Sequence, residues 1–147
     1  MRYFLELKYD GGAYCGWQIQ PDMPTVQQTI EAALTKLLRE PIEIVGAGRT
    51  DTGVNASYYV AHFDSTAELD TEQVQYKLNR MLPYDISIDS LTPVADGTHA
   101  RFDARERVMA YLAIFIISLS YTTSSSPHHT FLPFSVIKIT FVSPSGA

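Results

Sequence analysis

The sequence predicts an α+β domain in which helices cover one face of a mainly antiparallel sheet, and three observations lead there. Residues 2–9 alternate, with Tyr3, Leu5, Leu7 and Tyr9 on one side and Arg2, Phe4, Glu6 and Lys8 on the other. That period of two belongs to a half-buried strand. Two later segments carry apolar residues at helical spacing instead. The patterns then follow one another as strand, helix, two strands, helix and strand, an order that layers helices on a sheet.

Each element has its own signals. Asp10-Gly11-Gly12 ends the first strand. Thr25 with Gln28 three residues on forms a capping box, and Val26, Ile30, Ala33, Leu34, Leu37 and Leu38 make the stripe of a helix closed by Pro41. Ile42, Ile44 and Ala47 predict a short strand, and Tyr58 to Phe63 another. Asp70 or Thr71 starts the second helix, whose stripe is Val74, Leu78, Met81 and Leu82 before Pro83 stops it. Ile86 and Ile88 mark the next strand. His99 to Arg107 completes the order, with alternation placing Arg101, Asp103, Arg105 and Arg107 on one side. No internal repeat is visible.

At 147 residues, 46% hydrophobic and 18% charged, the chain fits one globular domain. Sixteen acidic against eleven basic residues leave a net charge of -5, so no overall basic field points to a nucleic acid. The average hides a division, because from Val108 to Ala147 only Lys138 is charged. The apolar run Val108 to Leu119 is shorter than the roughly 20 residues a membrane-crossing helix needs. It reads as one buried strand followed by a weakly specified segment, with β-branched residues returning at Val136 to Val142. Cys15 is alone, and the histidines, His62, His99, His128 and His129, lack zinc-site spacing, so neither a disulfide nor a metal site is expected. Charges at Glu6 and Lys8 break up any signal-peptide core, which makes a reducing cytoplasmic setting the expectation.

The chemistry gathers in Gly46-Ala47-Gly48-Arg49-Thr50-Asp51-Thr52-Gly53-Val54-Asn55. Glycines let the main chain turn tightly and a substrate come close. Arg49 beside Asp51 would keep the carboxylate ionised, as nucleophile or base. The same residues also suit an ordinary turn with a surface ion pair. Asp51-Thr52-Gly53 further spells the triplet of dimeric aspartic proteases, although Arg49 opposes the proton sharing such a dyad needs. Trp17 and Tyr14 are read first as packing residues. Arg101 is either part of a solvated face or a contact to an RNA backbone, which needs only local positive charge.

Taken in order, Tyr9-Asp10-Gly11-Gly12-Ala13-Tyr14-Cys15-Gly16-Trp17-Gln18, Thr25-Val26-Gln27-Gln28, the loop from Gly46 to Ala56, His62-Phe63 and His99-Ala100-Arg101-Phe102-Asp103-Ala104 closely resemble the tRNA pseudouridine synthase A family. The resemblance covers about residues 3–107. It implies a ferredoxin-like half of a pseudouridine synthase fold, with two helices on one face of the sheet. The activity it implies is an isomerase, without cofactor or metal, that converts uridines of the tRNA anticodon stem and loop to pseudouridine. Asp51 matches the family's catalytic carboxylate, which initiates detachment of uracil before the base rejoins the ribose through carbon 5. Arg49 matches the arginine that holds the target nucleotide out of the stack, consistent with the need to flip a base before acting on it. Gly48, Thr50 and Gly53 would shape the loop, and Arg101 would join Arg49 in contacting RNA. The implied partner is the tRNA anticodon arm, and the family works as a homodimer.

The resemblance is not complete. Thr52 and Asn55 stand where the family usually has Ala and His. Met109 occupies the place of a tyrosine that stacks on uracil, leaving only Tyr111 of a Tyr-x-Tyr pattern, so part of a stacking contribution of about 1–3 kcal/mol is lost. Nothing from Val108 onward matches the family's second half, which walls the site and supplies a basic partner for the aspartate. Residues 1–107 are therefore expected to form the pseudouridine synthase domain, and 108–147 an atypical tail of a truncated or frame-altered member. The site around Asp51 should then be open to water on one side, and dimerisation is doubtful. An inactive RNA-binding fragment is the alternative function.

Overall fold

A computed structural model describes residues 1–104 together with the backbone of the strands Glu106–Leu112 and Phe134–Thr140. In chain order the elements are β1 (Arg2–Tyr9), α1 (Val26–Leu38), β2 (Ile44–Gly46), β3 (Asn55–Asp64), α2 (Thr71–Met81), β4 (Ile86–Val94), β5 (Glu106–Leu112) and β6 (Phe134–Thr140), with one 3-10 turn at Gly11–Ala13. The first six follow the β-α-β-β-α-β order. Their strands lie as β4-β1-β3-β2 and pair antiparallel throughout, the ferredoxin-like arrangement. β6 continues the sheet beside β3 as its parallel neighbour, and β5 pairs antiparallel with β6.

Cross-strand register decides what each face carries. Tyr3 lies opposite Phe63, Leu5 opposite Ala61 and Leu7 opposite Tyr59, so these six side chains share the face on which the helices pack. The Tyr3 and Phe63 rings stack at 5.7 Å between centroids. Val26, Ile30 and Leu34 of α1 and Val74 and Leu78 of α2 close the same core, and the two helices touch each other. On the far face Phe4 lies opposite His62 and Glu6 opposite Val60. The Tyr58 hydroxyl donates to Glu6 at 3.0 Å, and burial, with the negative charge of Glu6 beside it, pushes the phenol up to about 12.

The helix ends follow the sequence signals. The Thr25 hydroxyl accepts the Gln28 amide at 3.4 Å, and the Asp70 carboxylate accepts that of Gln73 at 3.1 Å, leaving Thr71 as the first residue of α2. α1 stops before Pro41, where Arg39 adopts a left-handed conformation and its amide donates to the Thr35 carbonyl. Among the described residues no helix is long and apolar enough to cross a membrane.

Several expected boundaries move. β3 starts three residues before Tyr58 and ends after Phe63, because β1 pairs along nearly all of it. β4 extends to Val94 for the same reason. The strand expected from His99 begins only at Glu106: residues 99–103 form a turn in which the Asp103 amide donates to the His99 carbonyl and the Asp103 carboxylate accepts the His99 amide at 2.6 Å. The side alternation expected for Arg101 and Asp103 is therefore not that of a strand. β5 takes up the first part of the apolar run, whereas 113–119 lie outside the described residues.

Ile30 is fully buried and Tyr76, on α2, is 62% exposed. Ile30→Ala should lower the unfolding free energy in urea by about 2–5 kcal/mol, against a change within about 0.5 kcal/mol for Tyr76→Ala.

Candidate active site

The loop from Ala47 to Val54 joins β2 to β3, and its main chain is held along its length. The Ala47 amide donates to the Val60 carbonyl at 2.9 Å. The Tyr59 hydroxyl receives the Gly48 amide at 3.3 Å and donates to the Gly48 carbonyl. Thr50 is 8% exposed, and its hydroxyl is hydrogen-bonded to that of Tyr9 at 3.0 Å. Burial pushes the Tyr9 phenol up to about 12, so it stays protonated. The Val54 amide closes a β-turn on the Asp51 carbonyl at 3.2 Å, with Gly53 in the third position at φ 78°, a backbone region a glycine occupies without strain.

A second layer of backbone backs this loop. The segment Asp10–Trp17 lies so close that a Cβ on Gly11 would fall 2.0 Å from the Val54 carbonyl oxygen, and one on Gly16 would fall 2.3 Å from that of Thr50. The Gly11 amide donates to the Asn55 side chain at 2.7 Å, the Trp17 amide to the Thr50 carbonyl at 3.2 Å, and the Gly53 amide to the Tyr14 carbonyl at 3.2 Å. The segment is tied in turn to the rest of the sheet: the Tyr14 hydroxyl donates to Asp85 at 2.8 Å, and Trp17, 3% exposed, packs on Tyr59 with ring centroids 4.2 Å apart. Tyr14 and Trp17 are thus packing residues.

With its backbone held, the loop presents Asp51 outward, where the side chain is exposed, as is that of Arg49. The ion pairs among the described residues are Arg2–Asp64 and Lys8–Asp89, so Arg49 and Asp51 are near neighbours in sequence without pairing. Arg49 instead lines a cleft of about 180 Å³ with Arg101, Trp17, Gln27, Gly46 and Gly48. Two arginines some fifty residues apart in the chain therefore meet at one opening, and Asp51 lies two residues beyond it. A larger open cavity of about 500 Å³, lined by Lys8, Asp10, Asn55, Ser57, Tyr84 and Asp85, begins where the loop ends. No group of three or more metal-ligating side chains occurs among the described residues.

The route by which Arg101 reaches the cleft has no sequence signal. The Ala100 amide donates to Nδ1 of His62, a histidine 4% exposed on the far face of β3, and the His99 ring lies against it at 4.5 Å. Burial, with Arg2 and His99 nearby, pushes the His62 imidazole down to about 4. The roles of Tyr59 and Asn55 are equally hidden in the sequence, since both depend on which strand lies alongside.

A family profile described as tRNA pseudouridine synthase matches residues 7–103. Proteins named tRNA pseudouridine synthase A are similar over the same part: that of Bacteroides thetaiotaomicron is 53% identical over 110 residues, covering 75% of this chain and 41% of its own. The Bacteroides fragilis protein is 51% identical over 111 residues, with shares of 75% and 44%, and the Photobacterium profundum protein 41% over 131 residues, with shares of 82% and 49%. The chain belongs to the tRNA pseudouridine synthase family. It spans less than half the length of these curated relatives.

Two outcomes follow from the geometry. Gly11→Ala drives a methyl into backbone and should destabilise by about 1–3 kcal/mol in urea unfolding, whereas Gly97→Ala, with open space around it, should change stability by no more than about 0.5 kcal/mol. For His62 the folded pKa lies below the ordinary 6.5, so the unfolded chain binds the proton first as pH falls. Its contribution is complete above pH 6.5 and is lost on acidification towards pH 4, a decline that should be shallower in His62→Asn when urea midpoints are followed across that window.

Proposed function

We propose that the chain is a tRNA pseudouridine synthase acting on uridine in the anticodon stem and loop, with Asp51 as its catalytic carboxylate. The observation that carries this reading is the presentation of Asp51: an exposed carboxylate on a loop whose backbone is held from both sides, next to a cleft that two arginines share. A preorganised carboxylate acts on a reacting centre without first having to be ordered.

In the isomerisation the bond between the ribose C1′ and N1 of uracil breaks, the base turns, and C1′ bonds to C5. The proton on C5 is released and N1 regains one, so no redox partner or added group is needed. Asp51 initiates the detachment as nucleophile or base. Arg49 and Arg101 hold the RNA, Arg49 nearest the displaced nucleotide, with guanidinium groups suited to phosphates and to stacking. Gly48, Thr50 and Gly53 shape the loop that carries Asp51. The function resides in residues 1–107, with 108–147 an atypical low-charge tail, and the setting is cytoplasmic.

A second reading, an RNA-binding member without turnover, is favoured by one feature, Met109 at the place of the stacking tyrosine. Tritium release from an unmodified tRNA transcript labelled at uracil C5 separates the two. The synthase should release tritium, and Asp51→Ala should reduce the rate by at least about 10³-fold. Binding of the transcript by folded protein without release would replace the first reading with the second.

A further inference from the structure

Outside the loop, the most specific unexplained arrangement is the seat of the 98–103 turn. Its backbone is fixed to the sheet at two points. Nη1 of Arg2 donates to the Thr98 carbonyl at 3.0 Å, while Nε and Nη2 of the same arginine grip Asp64 at 2.8 Å. The buried Ala100 amide, in a residue with no exposure, donates to Nδ1 of His62 at 3.1 Å. His99 continues the arrangement: its Nδ1 accepts the Arg101 amide at 3.1 Å, and its ring packs between those of His62 and Phe102. Arg101 is the residue immediately after this anchor, and it enters the cleft with Arg49.

His62 itself is held by what surrounds it. Across the sheet it lies opposite Phe4 on β1 and Val45 on β2, and Val45 also lines the cleft. For Nδ1 to accept, the ring must be neutral with its proton on Nε2. A phenylalanine would fill the same space yet leave the Ala100 amide buried without an acceptor. An asparagine places an oxygen close to where Nδ1 stands.

We propose that His62 is a positioning residue for RNA binding: by accepting the Ala100 amide it docks the 99–103 turn on the sheet and so sets the approach of Arg101 to the cleft shared with Arg49. This rests on the reading that Arg101 contacts RNA. A residue that merely stabilises the fold would change the melting temperature without changing how many phosphates the protein neutralises. A residue that places a cation changes the salt dependence of binding, because each phosphate contact contributes about 0.7–0.9 to the slope of log K against log salt.

The test uses the full chain and an unmodified tRNA transcript, with affinity measured from 50 to 200 mM salt. Arg101→Ala should weaken binding about three- to tenfold and lower the slope by about 0.7–0.9. His62→Phe should do the same, the double variant should lose nothing more, and His62→Asn should recover most of the affinity. A folded His62→Phe protein with the wild-type slope overturns the proposal, as does a His62→Asn protein as weak as His62→Phe. If Arg101→Ala alone binds as tightly and as steeply as wild type, the reading of Arg101 as an RNA contact falls, and the proposal with it. A measurement on the unaltered protein covers the case in which His62→Phe does not fold. By reciprocity of coupled equilibria, transcript binding should slow hydrogen exchange at the Ala100 amide in wild type but not in Arg101→Ala, and unchanged exchange in wild type overturns the proposal.

Discussion

Where the carbonyl oxygens of Val54 and Thr50 press against Gly11 and Gly16, two stretches of main chain lie closer than any side chain would allow. Much of the site depends on that contact. It lets the Asp10–Trp17 segment receive and supply hydrogen bonds along the far side of the Asp51 loop, so the loop is held by β3 on one side and by this segment on the other. An exposed carboxylate on a long connection would ordinarily be mobile. Here the main chain on both sides of Asp51 is tied down, at Thr50 before it and at Val54 after it.

The two faces of the sheet divide the work. The helix face is an apolar core built on Tyr3, Leu5, Leu7, Tyr59, Ala61 and Phe63, and it supplies the rigidity against which Tyr59 can hold Gly48. The far face mixes apolar Phe4 and Val60 with Glu6 and carries His62, whose ring accepts the amide of Ala100 in the turn that contains Arg101. Net charge says little about such an arrangement. The chain is acidic overall, yet Arg49 and Arg101 converge on one cleft, and a phosphate responds to the charge within a Debye length of it.

Much of the fold is legible in the residues themselves. The alternation in 2–9, the stripes of both helices and their Thr25 and Asp70 caps are local signals, because period and capping depend on neighbours a few residues away. The misleading signal is also local in origin: His99 to Arg107 alternates well enough for a strand, but Asp103 and His99 satisfy each other's backbone and turn the chain instead. In the site, the sequence singles out the Asp51 loop by its glycines and charges and, through a family resemblance, ties it to the upstream Tyr-Asp-Gly segment. The reason those two segments belong together is not visible in either.

The sequence alone determined the element order and the apolar faces, since these follow from residue chemistry and short-range spacing, whereas Asp51, Arg49 and Arg101 stand out in it only through a family resemblance. Only the tertiary structure decided that Gly11 and Gly16 are needed for backbone contact with the loop, that Tyr59 and Asn55 hold it, that Arg49 pairs with no carboxylate among the described residues, and that His62 accepts the amide of Ala100 next to Arg101. Each of these is a relation between residues far apart in the chain. Their distances are set by strand register and sheet order, which no window of a few residues contains.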